Sequence, residues 1–494
     1  MLTRLKVSGF KNLVDVDVSF GAFTCVAGPN AVGKSNLFDA IRFLGYLADQ
    51  TFIDAALAVR SEDKHVGDIR SLFHRDGHVY TDYMTFEAEM IIPPEGIDDL
   101  GQKAKAATTF VRYKLVLRYK KDIELPLAGV LELVEENLES IEFSDDAKNL
   151  QFPYSSDQWH KSVLNGHRDY PFIWTLPLAD QRLVYFNRKE EKHHSSMVLP
   201  ENLQRTVLST VNYATETPTI FLARQEMRSW RLFQLEPSAM REPDRITQIA
   251  QAGLLPNGAH LPATLYQLAN VYAKTASTNG GDQDNSYVYD QVAARLSELI
   301  DGVRAVQIDR DDTRQLLSVM LTEKDGTSHS ARSLSDGTLR FLVLSVLEMD
   351  QSMSGVICME EPENGIHPKR IPAMIRLLQD IACDVDLPIG GDNPLRQVIV
   401  NTHSPVVVSQ IPEDSLLVAM PTEKIYEGRR IKSVRYSWLP DTWRSEAFPD
   451  RRPIAKGVLL SYLSPSVPNI ETPFGDSRRV IDRPDLQMLL PFND

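Results

Sequence analysis

Cysteine is scarce in this 494-residue chain, which holds only Cys25, Cys358 and Cys383. Three thiols cannot make the paired framework of a disulfide-stapled fold, and a chain this long buries enough surface to do without one. No stretch reaches the roughly 18 uncharged apolar residues that a membrane span needs. The N-terminal MLTRLKVSGFKNLVDVDVSF alternates polar and apolar residues and has no apolar run of the signal-peptide kind. The expectation is a soluble, cytoplasmic protein. Basic residues are also in the minority, 53 against 67 acidic, for a net charge of −14. A field of that sign disfavours a general nucleic-acid coat but leaves room for a local basic groove. The densest candidate interleaves Arg429, Arg430, Lys432, Arg435, Arg444, Arg451 and Arg452 with Tyr436, Trp438 and Trp443. Such a mixture can hold phosphates and stack bases. Given the overall acidity, the plainer reading is a solvated face over buried tryptophans.

Order along the chain points to an α/β protein. Leu2, Leu5 and Val7, then Val14, Val16, Val18 and Phe20, alternate as half-buried strands do. The continuous apolar run AFTCVAG ends at Gly28, as a buried central strand would. Residues 33–48 follow with a helical stripe of Leu37, Ile41, Leu44 and Ala48. Further strands are expected at TDYMTFEAEMII, TFVRYKLVLRYK and LAGVLELVEENLESIEF. The pattern then yields a unit from 1 to 150, a mixed, largely helical insertion from 151 to 300, a second α/β segment from 301 to 420 and an extension from 421 to 494. The insertion carries the helical stretches LPATLYQLANVYAK and YVYDQVAARLSELI around TASTNGGDQDNS, which reads as a mobile surface loop. Strand–helix units return with GVICME, HPKRIPAMIRLLQDIA, RQVIVNTHS and DSLLVAM, the pattern of a parallel sheet. The Pro-rich tail beyond residue 464 has no strong periodicity, and no internal repeat is visible.

Four motifs carry chemistry. Gly28-Pro29-Asn30-Ala31-Val32-Gly33-Lys34-Ser35 is a complete G-x-x-x-x-G-K-S between a strand and a helix, followed by Asn36. Its glycines let backbone N–H groups turn inward around phosphates at a helix N-terminus. Lys34 then reaches the β- and γ-phosphates of ATP, and the Ser35 hydroxyl ligates Mg²⁺. In VICMEEPE a buried strand delivers Glu360 and Glu361 at its end. Glu360 is the second Mg²⁺ candidate, and Glu361 the group that orients the attacking water. Ser335 and Gly337 in SLSDGT open a helix and offer an anion-binding end, although Ser-Asp-Gly is also an ordinary cap. VIVNTHSP ends another buried strand, and its His403 is placed to contact the γ-phosphate.

The order phosphate loop, Ser-Gly helix, Glu-Glu strand, strand-end His resembles the ABC-type ATPases. More narrowly it is similar to the RecF and SMC-like branch, through LKVSGFKNL, GLLPNGAHLPATLYQL, EPENGIHP and NTHSP. The resemblance implies an ABC-type ATPase head, with a mixed β lobe and a parallel-sheet phosphate-loop lobe. It also implies composite ATP sites between two copies, in which Ser335 and Gly337 complete the site on the partner's Lys34. The turn at Lys11 and Asn12 approaches the nucleotide in that family. Departures are LSDGT for LSGGQ, Glu360 for Asp, and a Gln loop that the sequence does not locate.

Stand-alone relatives of the PtuA and AriA kind imply an ATP-hydrolysing sensor or regulator in antiphage defence. It would form a homodimer or larger homo-oligomer with a separately encoded effector, a nuclease by that resemblance. The alternative is a RecF-like DNA-repair ATPase at gaps or ends, with DNA as a partner. A fused nuclease is disfavoured, because the roughly 90 residues after His403 hold neither the glutamate strand nor the acidic pair it needs. A transporter subunit is disfavoured by the long insertion and the EPENGIHP ending. His160, Asn165, His167 and the pair His193–His194 lack the paired ligand spacing of a metal site and read as structural or surface residues.

Overall fold

The computed structural model describes residues 1–59, 69–121, 129–142, 150, 156–177, 182–187, 195–200, 203–212, 214–251, 253–278, 286–426, 428–455 and 457–458. His193–His194, the tail beyond 464 and most of the TASTNGGDQDNS stretch lie outside them. The fold is α/β, built on two large sheets. The first is antiparallel and eight-stranded. From one edge it runs Ser195–Val198, Arg182–Asn187, Ile173–Pro177, Val130–Ser140, Phe110–Lys120, Tyr83–Ile91, Leu2–Ser8 and Val16–Ser19. Its strands alternate, as in Phe110–Lys120, where every second residue is buried over most of the length.

The second sheet has the order Arg231–Phe233, Gly355–Glu360, Arg396–Thr402, Phe23–Ala27, Leu416–Tyr426 and Arg429–Ser437. It is parallel up to Leu416–Tyr426, and the last strand returns as an antiparallel hairpin partner. Its central strands are buried on both faces, so they read as unbroken apolar runs. Val26, Cys358, Ile399 and Leu417 face a core shared with the antiparallel sheet and the helix Lys34–Leu47. Cys25, Ile357, Val400 and Val418 face the opposite core, under the helices Leu261–Thr278, Ser286–Leu299, Asp336–Met349 and Ile371–Ile381.

Residues 151–300 supply strands as well as helices. Three strands between 173 and 198 extend the antiparallel sheet, and Arg231–Phe233 is an edge of the parallel one. The strand Leu416–Tyr426 runs through residue 420, so the chain beyond that point is joined to the parallel sheet. Among the described residues, no helix is long and apolar enough to cross a membrane.

Candidate functional site

Parallel pairing sets the strand ends in register. Thr402 pairs with Ala27 and Glu360 with Asn401, so the phosphate loop, the acidic strand and the NTHSP strand all finish at one edge. Ligands of open α/β sheets bind at that carboxyl edge. A cavity of about 560 Å³ opens there, lined by Asn30, Ala31, Gly33, Lys34, Ser35 and Asn36 on one side and by Glu360 and Glu361 on another. Gln234, Leu235, Glu236, Arg340, Asn364 and Asn401 complete the wall.

The loop needs its glycines. Gly33 has φ 116°, and a Cβ there would run into the Asn12 side chain. Gly28 is so close to the neighbouring strand that a Cβ would lie 2.6 Å from the Ala419 carbonyl oxygen. Asn12 braces the loop from behind, donating to the Val32 carbonyl at 2.9 Å and accepting from Asn36 at 2.8 Å. Tyr436 donates to the Gly33 carbonyl at 3.1 Å. Lys11 points elsewhere, pairing with buried Asp39 at 2.8 Å. The Lys34 ammonium donates to the Gly28 and Pro29 carbonyls at 2.6 and 2.9 Å. Burial pushes its pKa below the usual lysine value, against the pull of Glu361, Glu363 and Glu360.

Glu361 sits just past the strand at φ 45°, a left-handed conformation that costs a non-glycine residue about 1 kcal/mol or more. Its backbone N–H reaches the Asn401 carbonyl and side-chain oxygens, both at 3.1 Å, which fixes the turn. Asn364 donates to Oε2 at 3.0 Å, and His403 Nδ1 lies 2.7 Å from Oε1. Burial raises the Glu361 pKa, but these two hydrogen bonds and the charges of His403 and Lys34 outweigh it, leaving the carboxyl below its ordinary range. Two residues on, Glu363 is buried and accepts from Thr402. Burial pushes its pKa up.

Gln234, one residue past Arg231–Phe233, donates to Glu360 Oε2 at 2.6 Å. It stands at the end of the acidic strand and lines the same cavity as the phosphate loop. The backbone N–H groups of Gln234 and Glu236 reach the Pro256 and Asn257 carbonyls, both at 2.9 Å, so the GLLPNGAH segment braces this loop. Ser35, Glu360 and Gln234 together offer the oxygen donors that suit Mg²⁺.

Ser335 caps the helix Asp336–Met349, accepting from the Thr338 N–H at 3.2 Å. Neither Ser335 nor Gly337 lines the cavity, so one chain does not bring them to its own phosphate loop. The helix is nevertheless tied to the Gln234 segment twice. Arg241 donates to the Leu334 carbonyl at 3.0 Å and to Asp336 at 2.5 Å, and Arg340 donates to the Leu235 carbonyl at 3.1 Å. Of the phosphate-loop residues, Gly28, Pro29 and Val32 shape the loop without lining the cavity, and Val32 is buried beneath it. His403, expected at the γ-phosphate, does not line the cavity and instead touches Glu361.

The aromatics of the basic cluster are not a stacking platform. Tyr436, Trp438 and Trp443 are buried, and Arg444 is wholly buried, donating to the Ser19 and Asp414 carbonyls at 3.0 and 2.6 Å. Of the histidines set aside as metal ligands, His160 lies 3.3 Å from the Leu150 carbonyl and His167 3.2 Å from Asp169. Asn165 bonds through its backbone to Thr109. The described residues hold no cluster of three His, Cys, Asp or Glu able to bind a metal.

The site is thus a phosphate-loop cavity at the carboxyl edge of a parallel sheet, with two adjacent glutamates facing the loop. A family model described as "AAA domain, putative AbiEii toxin, Type IV TA system" matches residues 23–79 and 249–409, which carry the loop, the Ser335 helix and both strand-end motifs. Comparison with curated proteins returned no match. Solved structures similar to the chain include an Smc head bound to the C-terminal winged-helix domain of ScpA, at 12% identity and TM-score 0.44 over 89% of this chain and 98% of that one. A Pyrococcus furiosus Smc head with an extended coiled coil, bound to the C-terminal domain of ScpA, gives 11% and 0.39 over 88% and 96%. The SMC head domain from Thermotoga maritima gives 11% and 0.36 over 88% and 97%.

Proposed function

We propose that this chain binds ATP with Mg²⁺ and hydrolyses it, as an ABC-type ATPase that regulates a separately encoded effector in antiphage defence. The observation that carries the reading is the convergence of Lys34, Ser35, Gln234, Glu360 and Glu361 on one cavity. Lys34 exchanges two loop carbonyls for the β- and γ-phosphates, and backbone N–H groups of the loop hold their oxygens. Ser35 and Glu360, with Gln234 beside them, would hold Mg²⁺, which would supply charge neutralisation at the phosphates. Glu361 orients the attacking water, and Asn364 and His403 keep its carboxylate ionised and aimed. Ser335 and Gly337 serve the site of a second copy, since a helix end of this kind has an anion to meet only there. The family description, naming an AAA domain, supports the ATPase reading. The RecF-like DNA-repair reading stands as the alternative, and stimulation of ATP turnover by DNA gaps or ends would favour it.

The test is ATP turnover by the purified chain with Mg²⁺. Glu361→Gln should bind ATP and stop turnover, whereas Lys34→Ala should lose binding. Turnover by Glu361→Gln at the wild-type rate would overturn the catalytic assignment.

A further inference from the structure

Behind the phosphate loop lies a second cavity of about 350 Å³, walled by the turn at residues 15–17, the edge strand Arg429–Ser437 and the segment around Arg451 and Arg452. Its charges are unevenly matched. Asp17 is already engaged by Arg4 at 2.7 Å and by Arg451, and Asp15 accepts from Ser8 at 2.9 Å. Lys424 donates to the Val14 and Asp15 carbonyls, both at 2.8 Å. Arg435 and Arg452 line the same cavity, are exposed, and meet no carboxylate among the described residues. The Trp438 indole also lines it, and its Nε1 is buried with no hydrogen-bond partner among the described residues. Two guanidiniums without a carboxylate partner on one cavity wall leave their donors open to an anion.

The geometry points to this cavity as a binding site for a phosphate-bearing ligand, held by Arg435 and Arg452. Guanidinium forks match phosphate oxygens in pairs, and in a chain of net charge −14 this pocket is a local exception to the field. The site is distinct from the phosphate loop but leans on it. Tyr436, which lines the cavity, donates to the Gly33 carbonyl, and Ser433 donates to the Val14 carbonyl at 3.1 Å. The source of the phosphate is either a free phosphorylated small molecule or a nucleic-acid backbone.

The test silences the phosphate loop with Lys34→Ala in the full chain and titrates inorganic pyrophosphate by calorimetry. Adding Arg435→Gln and Arg452→Gln should weaken binding at least about tenfold. A control that removes the same charge elsewhere, Arg314→Gln with Arg376→Gln, should leave it unchanged. Arg452→Gln alone, at an exposed position, gives the reading should the double variant misfold. A parallel titration with a fluorescent single-stranded oligonucleotide lacking terminal phosphates separates the sources. If it binds and shows the same loss, the ligand is a nucleic-acid backbone; if only pyrophosphate binds, it is a free phosphorylated molecule. Equal pyrophosphate binding by all variants, or none at millimolar concentration, would overturn the proposal.

Discussion

His403 Nδ1 lies 2.7 Å from Glu361 Oε1, across two strand ends that are 42 residues apart in the chain. Together with Asn364 on the other oxygen, it holds the carboxylate below its ordinary pKa against the opposing effect of burial. A depressed carboxylate contributes stability above its unfolded pKa and loses it as pH falls through the lower folded value. Asn364→Ala removes one of these donors, so the acid limb of the pH–rate profile should move to higher pH. The measurement is kcat for ATP between pH 4.5 and 8. An acid limb unchanged by Asn364→Ala would show that this bond does not tune Glu361.

Gln234 is the residue most easily separated from nucleotide affinity. It touches Glu360 and not the phosphate loop. Gln234→Ala should lower kcat by about 10- to 100-fold. ADP affinity should change by less than about threefold. Loss of ADP binding as large as the loss of rate would place Gln234 in the cradle itself.

Ser335 and Lys34 belong to opposite halves of the proposed composite site. Ser335→Arg should stop hydrolysis while single-chain binding persists, and Lys34→Ala should stop both. Mixed together, the two inactive proteins can pair one intact loop with one intact helix end and should recover part of the activity. Light scattering in ATP should show at least a dimer. A monomer that hydrolyses ATP at every concentration would exclude the composite arrangement.

Stability should carry its own pH signature, away from the cavity. Glu136 is fully buried in the antiparallel sheet and accepts from the Val207 and Leu208 N–H groups at 2.7 and 2.8 Å and from Tyr113 at 3.0 Å. Burial outweighs these bonds and pushes its carboxyl up to about 7 from 4.5. Stabilisation by the retained proton is complete below the unfolded value and disappears as pH rises through about 7. The full swing is on the order of 3 kcal/mol. Thermal unfolding should therefore occur at lower temperature as pH rises from 5 to 8. Glu136→Gln should flatten that trend and lower stability at pH 5, because Val207 and Leu208 donate to different carboxyl oxygens and the amide NH₂ would face one of them. An identical pH dependence in the variant would assign the trend to other groups.

The residues that the sequence made readable are those whose chemistry is local. A phosphate loop is eight consecutive residues, and the glutamates follow an unbroken apolar run that could only be a buried strand. Gln234 was out of reach because its strand has three residues, Arg231–Phe233, and exists only through pairing with Ile357–Met359 more than a hundred positions later. Arg340 and Asn364 carry no motif, and the fold alone brings them to the wall. Ile173–Pro177 and Arg182–Asn187 were hidden for another reason. Their Trp, Pro and Arg content breaks the alternation that marked Phe110–Lys120. The aromatics of the basic cluster posed the opposite problem. Composition allows Tyr436 and Trp438 to stack on bases, and only packing decides that they do not.

The clamps from Arg241 and Arg340 join the surface that a chain would show its neighbour to the loop beside its own glutamates. Drift in sequence at either place is then constrained by the other. A change in the spacing between Gln234 and Arg241 would tilt the Ser335 end of the helix even with every motif intact. Insertions should accordingly be selected against in the six residues between Gln234 and Arg241.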